Sequence, residues 1–411
     1  MKMNKFVVLS VVAAFSLALT ACGDDSSDET NSGPSNSIEA TLGQSVLNNY
    51  ADIVYASYSD SLTAAEAMDV AIDALIADPT PDTMNAAREA WLASREPYLQ
   101  TEVYRFYEGP IDMEPGGPEG LLNAWPMDEA WVDYVRGDGG ESQGIINKPD
   151  LYPEITADLL ESLNEAEKDD NIATGYHAIE FLLWGQDDED PFVSGAGKRP
   201  FTDYIADGSG TASNQTRRAQ YLKVVSTMLI GHLTGLKAAW APNANNYRAS
   251  FVAQTPTAGV AKIMTGMIVL AGFETGGERV QAALASGGQE DEHSCFSDNT
   301  HRDMIQDVQG IQNVFLGTYG AVSGPGIKDL VAANDPALAA RIETAIADAL
   351  SAANRLPIPF DQAIASSNAE GRAIVENLVT QLRVANDALR DAFVFYGFEI
   401  PEDTLAFDEG A

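Results

Sequence analysis

Apolar side chains recur every three to four positions along most of this chain. The spacing is first seen at Leu42, Val46, Tyr50, Ile53 and Val54. It returns within residues 152–163, 221–240, 304–315 and 375–396. An α-helix brings residues with this spacing onto one face, whereas a half-buried strand requires strict alternation, which we do not find. The pattern therefore predicts an all-α protein.

Glycine and proline cluster where the helical pattern breaks. The clusters lie at residues 109–118, 137–140 and 190–210, and the last is the best candidate for a link between two halves. About 370 residues follow the first segment of the chain, which is more than a single core usually holds. We therefore predict two helical bundles, at residues 38–200 and 201–411.

The two predicted halves share a short similar segment. Gly175-Tyr176-His177 in the first half has a faint counterpart in Gly272-Phe273-Glu274 in the second. Glu274 then falls at the position of His177, and Gly277 at the position of Glu180. An internal duplication whose second copy has lost the pair is one explanation, and chance similarity is the other.

The N-terminus indicates export. Lys2 and Lys5 precede an apolar run over residues 6–19, which is the pattern of a secretory signal and is shorter than the roughly 20 residues that a bilayer span needs. The run leads into Leu-Thr-Ala-Cys22, which resembles the bacterial lipobox. We expect a signal peptide over residues 1–21 and a lipid anchor on Cys22. An ordinary cleaved signal with a chance cysteine is the alternative.

Export and anchoring give the chain an expected location. Residues 22–37 are polar and acidic and predict a flexible tether. The folded part would then face the periplasm from the inner or the outer membrane, and no later segment reads as long and apolar enough to span either. With Cys22 acylated, Cys295 has no cysteine left to pair with, so we expect no intramolecular disulfide.

The charge of the chain excludes one class of partner. It has 61 acidic and 24 basic residues and a net charge of −37, with the acids spread along the whole sequence. Nucleic acid is therefore not an expected partner. A dispersed acidic surface serves solubility in most proteins, and it can also attract cations.

His177 and Glu180 are the first candidate site. A separation of three residues places both side chains on one helix face, where an imidazole nitrogen and a carboxylate oxygen can meet one metal ion. The flanking residues are apolar, so the pair is expected to be buried and the carboxylate needs compensation. A core histidine hydrogen-bonded to Glu180 without an ion is the alternative.

A second candidate is the stripe formed by Trp91, Arg95, Tyr98, Glu102 and Arg105. These residues step by three and four positions and would share one helix face. On their own they fit a solvated charged face equally well.

A third candidate lies further along the chain. Asp298 and His301 are three residues apart, next to Ser297, and would sit in the first turn of a helix. Asp298 could instead cap that helix beside a surface histidine. His293 lies in the acidic stretch 290–292 and is expected to be solvated.

These motifs together resemble the imelysin family, also called the M75 peptidase family. Gly175-x-His177-x-x-Glu180 matches its GxHxxE motif, and residues 91–105 are similar to a helix in its first half. Residues 289–301 look like the segment typical of its iron-regulated protein A subgroup. The resemblance implies two four-helix bundles with a pocket at their interface.

The resemblance also implies the roles of the site residues. Glu102 falls where related iron-uptake proteins carry a further glutamate ligand, so His177, Glu180 and Glu102 become metal ligands, with His301 approaching from the other half. The pocket would be lined by Arg95, Tyr98, Ser297 and Asp298. A mixed nitrogen and oxygen set fits iron, the expected ion, and also zinc or manganese.

Three functions remain open from the sequence. The first is binding of a metal ion, expected to be iron, in metal acquisition at the cell envelope, with envelope iron-uptake components as partners. The second is an M75-type metallopeptidase in which Glu180 or Glu102 acts as general base. HExxH motifs and a phosphate loop are absent, so among enzymes the sequence favours only a metallopeptidase of this unusual type. The third is a module that binds a small ligand or a protein without metal.

Overall fold

Long helices carry the fold in the computed structural model, which describes residues 37–136, 143–187 and 195–399. In this part of the chain, strand is limited to a hairpin of β1 (Thr318–Tyr319) and β2 (Val322–Ser323), paired antiparallel. The predicted all-α class is confirmed. The predicted signal peptide, the anchor at Cys22 and nearly all of the tether lie outside the described residues and stay predictions.

The described helices run in chain order as follows: α1 (Ala40–Ala77), α2 (Pro81–Leu99), α3 (Glu119–Leu122), α4 (Glu129–Val132), α5 (Ala157–Leu163), α6 (Gly175–Trp184), α7 (Gln215–Ala239), α8 (Tyr247–Ala253), α9 (Pro256–Val269), α10 (Ala282–Ser286), α11 (Thr300–Leu316), α12 (Ile327–Asn334), α13 (Pro336–Ala353), α14 (Phe360–Ile364) and α15 (Ala369–Phe395). Short 3₁₀ turns lie at Glu102–Tyr104, Phe201–Tyr204, Gln289–Asp291 and Cys295–Ser297.

The first two helices form an antiparallel hairpin. Thr80 and Thr83 make a reciprocal capping box at the start of α2, and Pro81 occupies its first position, where a missing N–H costs no helical bond. Helix α2 ends at Leu99, so Glu102 lies in the 3₁₀ turn that follows and not on the same helix as Arg95. The expectation of one continuous stripe from Trp91 to Arg105 is therefore wrong.

A 31-residue helix, Pro256–Ser286, runs through α9, a π-helical segment at Leu270–Gln281, and α10. Gly272 lies in the π-helical segment, and a Cβ there would come 2.4 Å from the amide nitrogen of Asn386, so glycine permits the close approach of α15. By length and composition this helix could cross a membrane, contrary to the sequence-based expectation. Its apolar stretch is 61% buried, as in the core helix of a soluble protein.

Helices from both sides of the predicted boundary at residue 200 pack against each other. Helix α1 contacts α2 and α7, and α7 also contacts α6, although α7 begins after the predicted boundary at residue 200. Residues Asn36–Ala411 form one compact unit with its own continuous core, so this unit is expected to fold without residues 1–35. The boundary at 200 and the internal duplication stay predictions.

Candidate functional site

Helix α6 carries the first candidate pair through the middle of the protein. All ten of its residues are buried. It begins at Gly175, whose φ of +81° favours glycine and whose Cβ, if present, would lie 2.5 Å from the carbonyl oxygen of Leu122. Gly185, with φ +73°, ends the helix. Two glycines thus fix where the helix starts and stops in a crowded interior.

His177 and Glu180 contact each other directly. The Nδ1 atom of His177 lies 2.8 Å from Oε2 of Glu180, and both side chains are fully buried. Ser297 donates to the other carboxylate oxygen, Oε1, from its backbone N–H at 3.0 Å and from its hydroxyl at 2.7 Å. The structure therefore brings together three of the residues that the sequence singled out.

His293 forms a second imidazole–carboxylate pair beside the first. Its Nδ1 atom lies 2.7 Å from Oδ2 of Asp303, and its ring centre is 5.0 Å from that of His177. The residue is 3% exposed, so the expectation that it is solvated is wrong. Asp303, in the first turn of α11, supplies a partner that lies ten positions away and that local composition could not reveal.

Asp303 also joins α2 to this cluster. Arg95 donates to its Oδ2 atom at 2.9 Å and Ser294 at 2.6 Å, while the amide of Asn299 reaches Oδ1. Arg95 is fully buried, and its guanidinium lies 5.0 Å from the ring centre of Tyr176. A buried charge requires such a partner, so Arg95 and Asp303 act as one unit.

Burial and neighbouring charge set the protonation of these groups. Burial lowers the pKa of His177 well below its usual range and that of His293 to about 4. Burial also raises the pKa of Glu180 to about 8, against the opposing hydrogen bonds from Ser297. Burial opposes ionisation of Asp303 too, but Arg95 and His293 outweigh it and hold that pKa well below its usual range. At neutral pH the cluster therefore holds neutral imidazoles.

Several buried polar atoms of the cluster lack a hydrogen-bond partner within the described part of the chain. They are Nε2 of His177, Nδ2 of Asn123, Nε1 of Trp125 and the hydroxyl of Tyr98. Trp125 packs 4.8 Å from the His177 ring, and Tyr98 lies 4.7 Å from the ring of Tyr176. Buried polar atoms are nearly always paired with protein, water or a ligand, so these atoms mark a place where further contacts are made.

Glu102 belongs to a neighbouring charged group and not to the His177 pair. Its Oε2 atom accepts from Arg105 at 2.8 Å and from Arg279, which lies in the π-helical segment. Arg279 also donates to Asp307 at 2.9 Å and to Glu274 at 2.8 Å. Burial opposes ionisation of Glu102, but the two arginines lower its pKa to about 2. The sequence analysis did not predict Arg279 and Asp307 as partners, because they are remote from Glu102 along the chain.

His301 and Asp298, two more of the predicted site residues, make their hydrogen bonds away from His177. His301 is half-buried, and its Nδ1 atom lies 3.2 Å from the backbone carbonyl oxygen of Asp298. Asp298 accepts a hydrogen bond from the backbone N–H of Ala196 at 2.6 Å. The structure does not bring His301 or Glu102 into contact with His177, and their roles as ligands stay predictions.

The structure shows one groove close to the end of α6. It has a volume of about 140 Å³ and is lined by Tyr134, Arg136, Trp184, Gly185, Gln186, Lys198, Arg199 and Pro200. His177 and Glu180 do not line it. The predicted pocket between two bundles stays a prediction.

The donor set at the histidine cluster fits a metal ion in one respect. Each imidazole is held by a carboxyl group through Nδ1, so Nε2 is the remaining ligand atom. Metal-binding histidines commonly have this arrangement, because the carboxylate orients the ring and fixes its tautomer. At His177, Nε2 becomes available when metal binding displaces the proton of Glu180, whose pKa is about 8. Among the described residues, however, three or more carboxylate, imidazole or thiol ligand atoms close enough to share an ion occur at Asp187, Asp298 and Asp361, not at His177.

Fold and site together define an all-helical protein with a buried cluster of paired histidines and carboxylates on its central helices. The family model for imelysin, Peptidase M75, matches residues 54–389, and the chain therefore belongs to the imelysin family. The chain is 23% identical to iron-regulated protein A of Synechococcus elongatus over 363 residues, covering 85% of this chain and 86% of that protein.

Two solved structures share the fold. One is a putative iron-regulated protein A precursor from Parabacteroides distasonis, with a TM-score of 0.66, 18% identity, and coverage of 89% of this chain and 97% of that one. The other is an imelysin-like protein from Psychrobacter arcticum 273-4, with a TM-score of 0.63, 15% identity, and coverage of 89% of this chain and 98% of that one.

Proposed function

We propose that this protein is an envelope lipoprotein that binds a metal ion, iron, in the service of metal acquisition. His177 and His293 would hold the ion through their Nε2 atoms. Glu180 and Asp303 would orient the two rings from behind, and Arg95 would balance the charge of Asp303.

The observation that carries this proposal is the pair of imidazoles at 5.0 Å, each held by a carboxyl group at Nδ1. Low pKa values keep both rings neutral, and only the neutral imidazole can bind a metal ion. Nε2 of His177 is buried and makes no hydrogen bond within the described residues. A ligand atom prepared in this way differs from a core histidine, which would have both nitrogens satisfied.

Ligand type narrows the choice of ion. Imidazole nitrogens with nearby carboxylates suit iron, zinc and manganese alike. The relative from Synechococcus elongatus is called iron-regulated, which favours iron here. The acidic surface, with a net charge of −37, would raise the local concentration of cations of any kind.

The metallopeptidase alternative receives less support. His177 and Glu180 are fully buried, and the groove beside α6 does not reach them. A peptidase needs a metal-bound water that an extended peptide can approach. A binding role requires no such access for a polymer, so it fits the observed burial better.

Metal analysis of the chain from Asn36 onward tests the proposal. The protein is purified without chelator or nickel affinity resin, incubated with Fe²⁺ under anaerobic conditions, desalted and analysed by mass spectrometry. About one iron per chain is expected for the wild type, with a loss of at least tenfold in affinity for His177→Ala and for His293→Ala.

Two control variants sharpen this experiment. His232→Ala removes a half-buried histidine of α7 outside the cluster and should retain iron. His301→Ala distinguishes the ligand set predicted from the sequence from the one proposed on the structure. If the variant retains iron, His293 is supported as the ligand. If the variant loses iron, His301 is supported as the ligand. If the wild type binds no iron, zinc or manganese, the metal proposal is wrong and a metal-free binding module remains.

The anchor requires its own test. Metabolic labelling with a palmitate analogue should mark the wild type and not Cys22→Ser, and the variant should appear in the soluble periplasmic fraction. Labelling of neither protein would mean that the chain is exported without a lipid, or not exported at all.

A further inference from the structure

Three aspartates from separate segments meet away from the histidine cluster. Asp187 follows the end of α6, Asp298 precedes α11, and Asp361 lies in the first turn of α14. One carboxylate oxygen of each lies within 4.8 Å of the corresponding oxygens of the other two. Asp187 and Asp361 are 4% and 3% exposed, and Asp298 is half-buried. Three negative groups are thus held together with little access to water.

A buried glutamate faces the same place. Glu292 is fully buried, and neither of its carboxylate oxygens makes a hydrogen bond of good geometry within the described residues, although the hydroxyl of Thr300 is close enough to act on it. The charges of Asp361, Asp298 and Asp187 all raise its pKa, so Glu292 lies near the three aspartates, although it is not one of the three residues whose oxygens lie within 4.8 Å of one another. The buried Oδ2 atom of Asp361 and the Oδ1 atom of Asp298 also lack a partner there. Within the part of the chain that the structure describes, these oxygens of Glu292, Asp361 and Asp298 are acceptors without a donor or cation of their own.

The electrostatics agree with this geometry. Burial and the neighbouring charge of Asp298 raise the pKa of Asp361 to about 6. Burial, followed by the charge of Asp361, raises the pKa of Glu292 well above its usual range, and Thr300 offsets this only in part. Burial raises the pKa of Asp298 as well, although Lys198 opposes the shift. A ligand with more than one positive charge would stabilise the ionised form of these carboxylates most.

We propose that Asp187, Asp298 and Asp361 bind a hard divalent cation of the calcium type. The Ca–O distance is about 2.4 Å, so oxygens on opposite sides of a Ca²⁺ ion are about 5 Å apart, and three oxygens within 4.8 Å of one another can bind the same ion. Mg²⁺ requires shorter distances and a stricter octahedron, and iron and zinc prefer a set that includes nitrogen or sulfur.

The cation would fix the position of residues around the histidine cluster. Asp298 directly follows Ser297, whose hydroxyl and N–H both bind Glu180. Gly197 donates to the backbone carbonyl oxygen of Phe296 at 2.9 Å, so the chain after α6 already runs beside this segment. A shared ion would tie α6, the segment before α11 and α14 into one unit. This site is independent of the proposed iron site, because it uses different side chains.

Calcium-dependent stability tests the proposal. The chain from Asn36 onward is freed of metal with EGTA, and its melting temperature is measured with and without 10 mM CaCl₂. With a Kd of about 10⁻⁴ M, which is within the range of extracellular calcium modules, the wild type should melt roughly 3 °C higher in calcium. An equal concentration of MgCl₂ should have a clearly smaller effect.

The variant Asp361→Asn separates a cation site from a purely structural cluster. Asparagine keeps an oxygen for the N–H of Gln362, which Asp361 now accepts at 2.6 Å. In EGTA the variant should be as stable as the wild type or more so, because a repulsive charge is gone. In calcium the order should reverse, because the wild type gains the ion and the variant does not. A structural role for Asp361 would lower the melting temperature by the same amount in both conditions.

Two controls make the outcomes distinct. Asp391→Asn removes an exposed carboxylate, 60% exposed, and should leave the calcium response unchanged. His177→Ala should also keep the full calcium response, so that loss of iron binding and loss of calcium binding are observed separately. A wild type that does not respond to calcium, or responds no more than it does to magnesium, overturns the proposal.

Discussion

The ion pair between Arg95 and Asp303 offers the most direct test of how the buried cluster is held together. Both side chains are 0% exposed, and the guanidinium nitrogen lies 2.9 Å from the carboxylate oxygen. The variant Asp303→Asn has nearly the same shape and can still accept from Ser294 and His293. It removes the charge that compensates Arg95, and it also replaces the Oδ1 acceptor of Asn299 with an amide nitrogen.

The size of the effect follows from the geometry. At 2.9 Å, with an effective dielectric constant of about 20, the attraction between the two charges is roughly 6 kcal/mol. Part of this attraction offsets the cost of removing both groups from water, but removing only one partner leaves that cost in place. Breaking a buried pair typically lowers stability by about 3–5 kcal/mol. We expect Asp303→Asn to lose about this much.

Urea unfolding at pH 7, followed by circular dichroism, measures the loss. The matched control is Asp391→Asn, which breaks an exposed pair with Arg341 and should cost less than about 1 kcal/mol. In the double variant Arg95→Met with Asp303→Asn, part of the lost stability should return, because no uncompensated charge remains. A loss below about 1 kcal/mol for Asp303→Asn would mean that Arg95 is hydrated or otherwise paired, and the reasoning would be refuted.

Three further changes test other parts of the structure. Gly175→Ala should lower the free energy of unfolding by at least about 2 kcal/mol, because φ is +81° and the new Cβ would lie 2.5 Å from the Leu122 carbonyl oxygen; an unchanged melting temperature contradicts this. Burial raises the pKa of Glu119 to about 7 from its usual 4.5. The free energy of unfolding of the wild type should therefore fall as pH rises from 4.5 through 7. Over the same range, Glu119→Gln should become more stable relative to the wild type by about 2–3 kcal/mol. If urea unfolding gives a difference between the two proteins that does not change with pH, the pKa of Glu119 is not raised. Asp133→Asn removes the carboxylate that pairs with buried Arg218, so the free energy of unfolding in urea should fall by about 3–5 kcal/mol. A fall of less than about 1 kcal/mol would contradict this prediction.

The local pattern of the sequence was sufficient for the helices and for the placement of two site residues on one helix face. Periodic apolar residues predicted an all-α protein, because a helix that buries one face needs that spacing whatever it packs against. The three-residue separation of His177 and Glu180 predicted that they share one helix face, since the helix alone fixes their distance. Their direct hydrogen bond was the alternative to a shared ion. Ser297 was also singled out, on resemblance to a family segment and not on geometry.

Other parts of the site could not be read from local spacing. His293 looked solvated because its neighbours in sequence are acidic, yet it is buried against Asp303. Glu102 looked like a partner of His177, but Arg279, 177 positions further along, reaches it from the π-helical segment. Sequence separation carries no information about such contacts, because they depend on which helices pack together.

The sequence by itself therefore determined the helical class, the buried character of α6 and the placement of His177 and Glu180 on one helix face, all of which depend on interactions within a few residues. Tertiary structure alone decided which charges compensate each other and which carboxylates converge. Asp187, Asp298 and Asp361 are an example, because each is an ordinary acidic residue until the packing of α6, α11 and α14 brings their oxygens within 4.8 Å of one another. The physical reason is that helix formation is local, whereas desolvation and charge pairing depend on the whole folded chain.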